Sequence, residues 1–139
     1  MARGTARRKL EHLPVIEFCV SGQPVSAQTR RLQALQTWMR RVSDAGHVRW
    51  PGGQTPLEGD LVARITFYSD RRIGDVDNLA KPILDALQAI VYADDRQVSD
   101  VLANRRDINA RFRIRHISLP LAEAFSKGEQ FVHIRVRTY

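Results

Sequence analysis

Between Gly74 and Val98 the chain reads GDVDNLAKPILDALQAIVYADDRQV, which sets Asp75, Asp77, Asp94 and Asp95 around one lysine, Lys81. Carboxylates crowded together repel. A pair about 4 Å apart costs roughly 1 kcal/mol in water and roughly 4 kcal/mol at an effective dielectric of about 20. One lysine cannot neutralise four such charges. If the fold brings them together, a hard divalent cation with oxygen ligands offsets the repulsion best.

The elements that would do this can be read from periodicity. Residues 61–69 (LVARITFYS) alternate as a strand, with Leu61, Ala63, Ile65 and Phe67 on one face. A helix is expected from about Asn78 to Ile90, burying Ala80, Ile83, Leu84, Leu87, Ile90 and Val91. Asp77, Lys81 and Asp85 fall at i, i+4 and i+8 on another of its faces. Pro82 is expected near the helix start, where N–H groups lack partners anyway. Asp75 and Asp77, two apart, point the same way if the chain there is extended.

Around this segment, residues 15–20 read as a first strand and 28–45 as a helix with Leu32, Leu35, Trp38 or Met39, and Val42 inward. Gly46 is its expected C-cap. Residues 47–60 are a turn-rich loop, 97–107 a third strand, and 130–138 a fourth. That last strand carries Val132, Ile134 and Val136 on one face against His133, Arg135 and Arg137 on the other. Within 109–128, Arg111 to His116 alternate as if extending a strand, and Pro120 to Lys127 suit a short helix. The expected fold is α+β, in the order βαβαββ, with one mixed sheet packed by two main helices. Residues 14–139 are expected to form one domain and residues 1–13, basic and weakly patterned, a mobile arm.

The 139 residues carry 22 basic side chains against 15 acidic, a net charge of +7. Nineteen of the basic residues are Arg, whose planar donor fork matches phosphate. A polyanion, above all nucleic acid, is the partner this balance favours, with a solubilising surface as the plainer explanation. Eight of the fifteen acids nonetheless lie between Asp70 and Asp107. A basic shell around an acidic centre is what a metal-dependent nuclease needs. Cys19 stands alone, which excludes an internal disulfide and a Cys-rich zinc site and fits a reducing, cytoplasmic setting. The four histidines are scattered, no Gly-rich phosphate loop or nucleophile elbow occurs, and no apolar run is long enough for a membrane span. Arg30, Arg31, Arg40 and Arg41 lie largely off the apolar stripe of the first helix, where they face either DNA or solvent.

Singly, each acid has an ordinary role. Asp77 suits an N-cap, Asp94 and Asp95 an Asx turn, and Asp85 an ion pair with Lys81. Together they form a pattern. The segment RRIGDVDNLAKPILDALQAIVYADDRQV resembles the signature of the RusA-type Holliday junction resolvases, metal-dependent endodeoxyribonucleases of phages and bacteria. The matching residues are Arg71 and Arg72, then Asp75, Asp77 and Asn78, then Lys81, Asp85 to Leu87, and Asp94, Asp95, Gln97 and Val98. The chain departs from the signature at Ile73 and Gly74, where the family has further basic residues.

The resemblance implies that Asp75, Asp77 and Asp95 are catalytic carboxylates binding Mg²⁺ (with Mn²⁺ as a substitute), that Asp94 is an adjacent candidate ligand, and that Lys81 is the catalytic lysine. Arg71, Arg72, Asn78, Arg30, Arg31, Arg105 and Arg106 are the expected DNA contacts. The implied substrate is branched DNA, a four-way junction cut by paired symmetric nicks. Its two-fold symmetry suits a homodimer with two equivalent sites. A bacterial, phage or prophage origin follows from the same resemblance. Two alternatives stay open: a nuclease for other branched or flap DNA, and a non-catalytic basic DNA-binding protein whose acids form a structural cation site.

Overall fold

The computed structural model describes residues 15–50, 55–110 and 117–139. The expected basic arm at 1–13 and the alternating stretch from Arg111 to His116 lie outside the described residues. The elements run β1 (Val15–Ser21), α1 (Leu32–Arg49), β2 (Leu61–Ser69), α2 (Val76–Leu87), a 3-10 turn (Asp95–Gln97), β3 (Val98–Asp107), α3 (Leu119–Ser126) and β4 (Phe131–Thr138). The strands form one mixed sheet in the order β1-β4-β2-β3, with β4 antiparallel to both neighbours and β2 parallel to β3. The class is α+β as expected, and the helix considered for Pro120 to Lys127 is α3.

Alternation decides the two faces of the sheet. Leu61, Ala63, Ile65 and Phe67 of β2 and Val132, Ile134 and Val136 of β4 are buried under α1 and α2. Ile83 and Leu87 of α2 and Val42 of α1 complete that core without measurable exposure. Truncating any of the larger ones to Ala would cost about 2–5 kcal/mol. The opposite face is only partly covered. There α3 seats Leu121 and Ala124 beside a cluster in which Tyr68 stacks on Phe131 at 4.8 Å and Phe125 meets Phe131 edge-on at 5.1 Å.

Helix boundaries differ from the expected ones for local reasons. α1 begins at Leu32, not Gln28, because Ser26 and Thr29 draw the backbone into a turn: their hydroxyls accept from Gln28 N–H at 3.1 Å and Arg31 N–H at 3.2 Å. Leu32, expected on the buried stripe, is consequently exposed at the helix start. Gly46 lies inside α1 rather than capping it. A Cβ there would sit 3.0 Å from Leu87 Cδ2 and 3.8 Å from Phe18 Cζ, so the glycine lets α1 approach α2 and β1 closely.

α2 begins at Val76 and ends at Leu87, two residues earlier at its start and three earlier at its end than the sequence suggests. Gln88 turns extended and Ala89 adopts a left-handed φ of 72°, so Ile90 and Val91 reach the core from a turn. Pro82 stands well past the first turn, where its missing N–H matters: it leaves the Asn78 carbonyl without its helical donor. Ala27 N–H supplies one instead at 2.9 Å, which ties the segment before α1 to the start of α2.

Candidate active site

The β2–α2–β3 crossover places the acidic residues. Asp75 is the N-cap of α2, and its Oδ1 accepts from the Asp77 backbone N–H at 3.1 Å. Asp77 therefore lies in the first helical turn rather than on extended chain, so the expected same-facing strand pair is replaced by a cap and a helical residue. The positive end of the helix favours both charges there. Lys81 follows one turn later and meets Asp85 another turn on, with Nζ 3.5 Å from Asp85 Oδ1. That contact is long and exposed, worth at most about 1 kcal/mol, and leaves the ammonium free to turn toward a better anion.

Asp77, Lys81, Leu84 and Asp85 of α2 share a shallow groove of about 290 Å³ with Asp95 of the 3-10 turn and Val101 of β3. Asp77 and Asp85 stand about 12 Å apart along the helix axis at about 1.5 Å per residue, with Lys81 midway. Asp75 lies at the head of the same helix, outside the groove lining. Asp94 is turned elsewhere: Arg96 holds its carboxylate through Nη2 at 2.8 Å and through the backbone N–H at 2.9 Å. Those bonds keep Asp94 at a pKa of about 2.

The turn that carries Asp95 is tightly clasped. Gln97 Oε1 accepts from both Ala93 and Asp94 N–H at 3.0 Å, and Gln97 Nε2 donates to the Leu57 and Gly59 carbonyls at 2.9 and 3.1 Å. On the other side the fully buried Tyr92 donates its hydroxyl to the Leu84 carbonyl of α2 at 2.5 Å. Burial pushes the Tyr92 phenol well up, and the nearby Asp85 and Asp95 charges push it further. Gln97 and Tyr92 thus fix where Asp95 stands relative to Lys81. The sequence reading gave neither of them a role, although Asp94-x-x-Gln97 is a capping-box pattern that points to the Gln97 bonds.

The donors around the groove are all carboxylates, hard oxygen ligands that suit Mg²⁺ rather than zinc. Asp77 and Asp95 face one groove, and the cap bond of Asp75 uses Oδ1 alone. Among the described residues, no three His, Cys, Asp or Glu side chains already stand together as a metal cage.

The expected DNA contacts divide among several surfaces. Arg71, Arg72 and Arg105 line one groove of about 430 Å³ at the C-terminal ends of β2 and β3, with Asp70 3.5 Å from Arg71. Crevices at the carboxyl ends of parallel strands are common ligand sites. Arg30 and Arg31 are exposed just before α1, and the Ala27–Asn78 bond holds their segment beside the start of α2. Arg106 points to the opposite face of the sheet from Arg105.

A family model described as Endodeoxyribonuclease RusA matches residues 4–116. No curated protein matches the chain.

Proposed function

The chain belongs to the RusA endodeoxyribonuclease family, and from that premise we propose that it resolves four-way DNA junctions with the α2–β3 groove as its active site. Family membership makes it an endodeoxyribonuclease, a hydrolase of phosphodiester bonds in junction DNA. The observation that carries the assignment of the site is the groove itself. It gathers Asp77 and Lys81 from a helix and Asp95 from a separate turn, in a chain of net charge +7.

Asp77 and Asp95, with Asp75 at the head of the same helix as Asp77, would hold Mg²⁺ or Mn²⁺. Bound there, such an ion polarises a phosphoryl oxygen and lowers the pKa of water. Lys81, tethered by its long contact to Asp85, stabilises the negative charge that builds on the phosphoryl group and the leaving 3′ oxygen. Arg71, Arg72 and Arg105 grip phosphates flanking the scissile bond and hold the strand in register. The two-fold symmetry of a four-way junction favours a homodimer that cuts two opposed strands by equivalent nicks. Among the described residues no helix is long and apolar enough to cross a membrane.

The test uses end-labelled four-way junction, flap and linear duplex, each with Mg²⁺, with Mn²⁺ and with EDTA. Paired symmetric nicks in the junction, abolished by EDTA, are the expected result. Preferential flap cutting would reassign the substrate, and binding of all three without cutting in either metal would overturn the catalytic assignment. Sedimentation of the protein as a monomer at assay concentration would contradict the dimer.

A further inference from the structure

The sheet face turned away from α1 and α2 carries more positive charge than the one acid lining its groove, Glu17, can balance. In register across β4, β2 and β3, Arg135 lies opposite Arg64, and His133 lies opposite Thr66, which in turn pairs with Asn104. Arg64, Arg106 and Arg135 border a groove of about 470 Å³ with Thr66, Asn104 and His133 across it. Like charges placed directly opposite on neighbouring strands destabilise a sheet. The ion pairs formed among the described residues involve none of these three arginines. Glu17, the acid lining this groove, stands opposite Arg135 in the β1–β4 register and is hydrogen-bonded by His133 Nε2 at 2.6 Å and Ser118 Oγ at 2.8 Å, so one acid faces three arginines.

We infer that this open face is a second DNA-binding surface, which holds the phosphodiester backbone of one arm of a branched substrate while the carboxylate groove holds another. Charge complementarity selects the occupant. A second copy presenting the same face would add like charge. Residues 1–13 bring Arg3, Arg7, Arg8 and Lys9 against Glu11 alone, and residues 111–116 bring three Arg and no acid. Phosphates offer what the groove lacks: anionic acceptors for the guanidinium forks. The edge strand β3 joins the two surfaces, because adjacent Arg105 and Arg106 serve opposite faces. A substrate with diverging arms can engage both faces across that edge, and a straight duplex cannot. The inference rests on the junction-cleaving reading for its substrate, while its binding test is independent of cleavage.

The experiment compares wild type with Arg64→Gln/Arg135→Gln and with Arg64→Lys/Arg135→Lys, binding fluorescent four-way junction and linear duplex in EDTA across a salt series. The Gln pair should weaken junction binding about tenfold or more and duplex binding less than threefold. It should lower the slope of log affinity against log salt by about 2 for the junction. The Lys pair should restore most of the affinity. The melting temperature of the Gln pair should stay close to that of wild type, since the variant removes the repulsive Arg64–Arg135 pair together with the attraction of Arg135 to Glu17. Unchanged junction affinity in a folded Gln variant, or equal losses on junction and duplex, would overturn the inference. Cleavage by wild type in Mg²⁺, measured on the same preparation, separates the two readings. Junction nicking with unaffected variant binding sinks this inference alone, whereas selective loss of junction binding without wild-type nicking sinks the cleavage reading alone.

Discussion

The Gln97 carboxamide nitrogen donates to the Leu57 carbonyl at 2.9 Å across forty residues of chain, while its oxygen holds the backbone of the turn carrying Asp95. The side chain touches neither lysine nor groove, so its role is to position. Replacing Gln97 with Ala should release the turn and lower junction cleavage by about 10- to 100-fold, because sub-ångström placement governs such steps. Junction affinity in EDTA should change less than threefold. Single-turnover rates alongside anisotropy binding curves check both halves; a Gln97→Ala enzyme that cuts at the wild-type rate would show that the turn needs no clasp.

Glu17 gives the fold a defined acid sensitivity. Burial alone would raise its pKa, but the hydrogen bonds from His133 and Ser118 outweigh it and hold the carboxyl below its ordinary value of 4.5. A group depressed on folding stabilises the native state fully above the unfolded-state pKa and loses that contribution as pH falls through the folded-state pKa. Glu17→Gln should therefore be less stable than wild type at pH 7 by about 1–2 kcal/mol, and the gap should close below pH 4.5. Urea denaturation of both proteins across pH 3–7 reads this; a constant gap over the whole range would contradict it.

Cys19 should be a poor nucleophile despite being partly accessible. Burial pushes its thiol up to about 12, with the Glu17 charge adding to the shift and Lys127 opposing it. The reactive thiolate is then scarce at pH 8. Alkylation by iodoacetamide at that pH should run at least about 100-fold slower in native buffer than in urea. Comparable rates would mean that the thiol is not desolvated.

Ala89 holds a left-handed φ of 72° at an exposed position just after α2. Such a conformation costs a residue with a Cβ about 1 kcal/mol and costs glycine little. Ala89→Gly should raise the thermal midpoint by a few degrees, on the order of 1 kcal/mol, as calorimetry would show. A lowered midpoint would mean that the added freedom of the unfolded chain outweighs the relieved strain.

Alternation made the sheet legible. In β2 and β4 every second residue is apolar, and those residues form the core face, while Val62, Thr66, Tyr68, Phe131 and His133 on the other face are buried as well. The helix ends were less legible because they depend on competition among nearby polar groups. Ser26 and Thr29 postpone α1, and Asp75 rather than Asp77 caps α2. Gly46 carried the ordinary signal of a helix end, but its role is set by Leu87, which no local pattern reveals. At the site, residue types and spacing pointed to Asp75, Asp77, Asp94 and Asp95 around Lys81, of which Asp77, Asp95 and Lys81 line one groove. The partners that position them were hidden: Gln97 bonds to Leu57 and Gly59, and Pro82 frees a carbonyl that Ala27 uses. The facing of Arg64 and Arg135 depends on strand register, which alternation alone does not specify.

The most direct measurement is junction cleavage in Mg²⁺ by Asp77→Asn and Asp95→Asn, with junction affinity measured for the same proteins in EDTA. Asn keeps the shape of each side chain and removes its charge, so folding and DNA binding should persist. The account predicts at least about a 100-fold loss of cleavage in each variant, with affinity equal to wild type or tighter. Cleavage at the wild-type rate by both would show that the groove between α2 and β3 is not where the phosphodiester is broken.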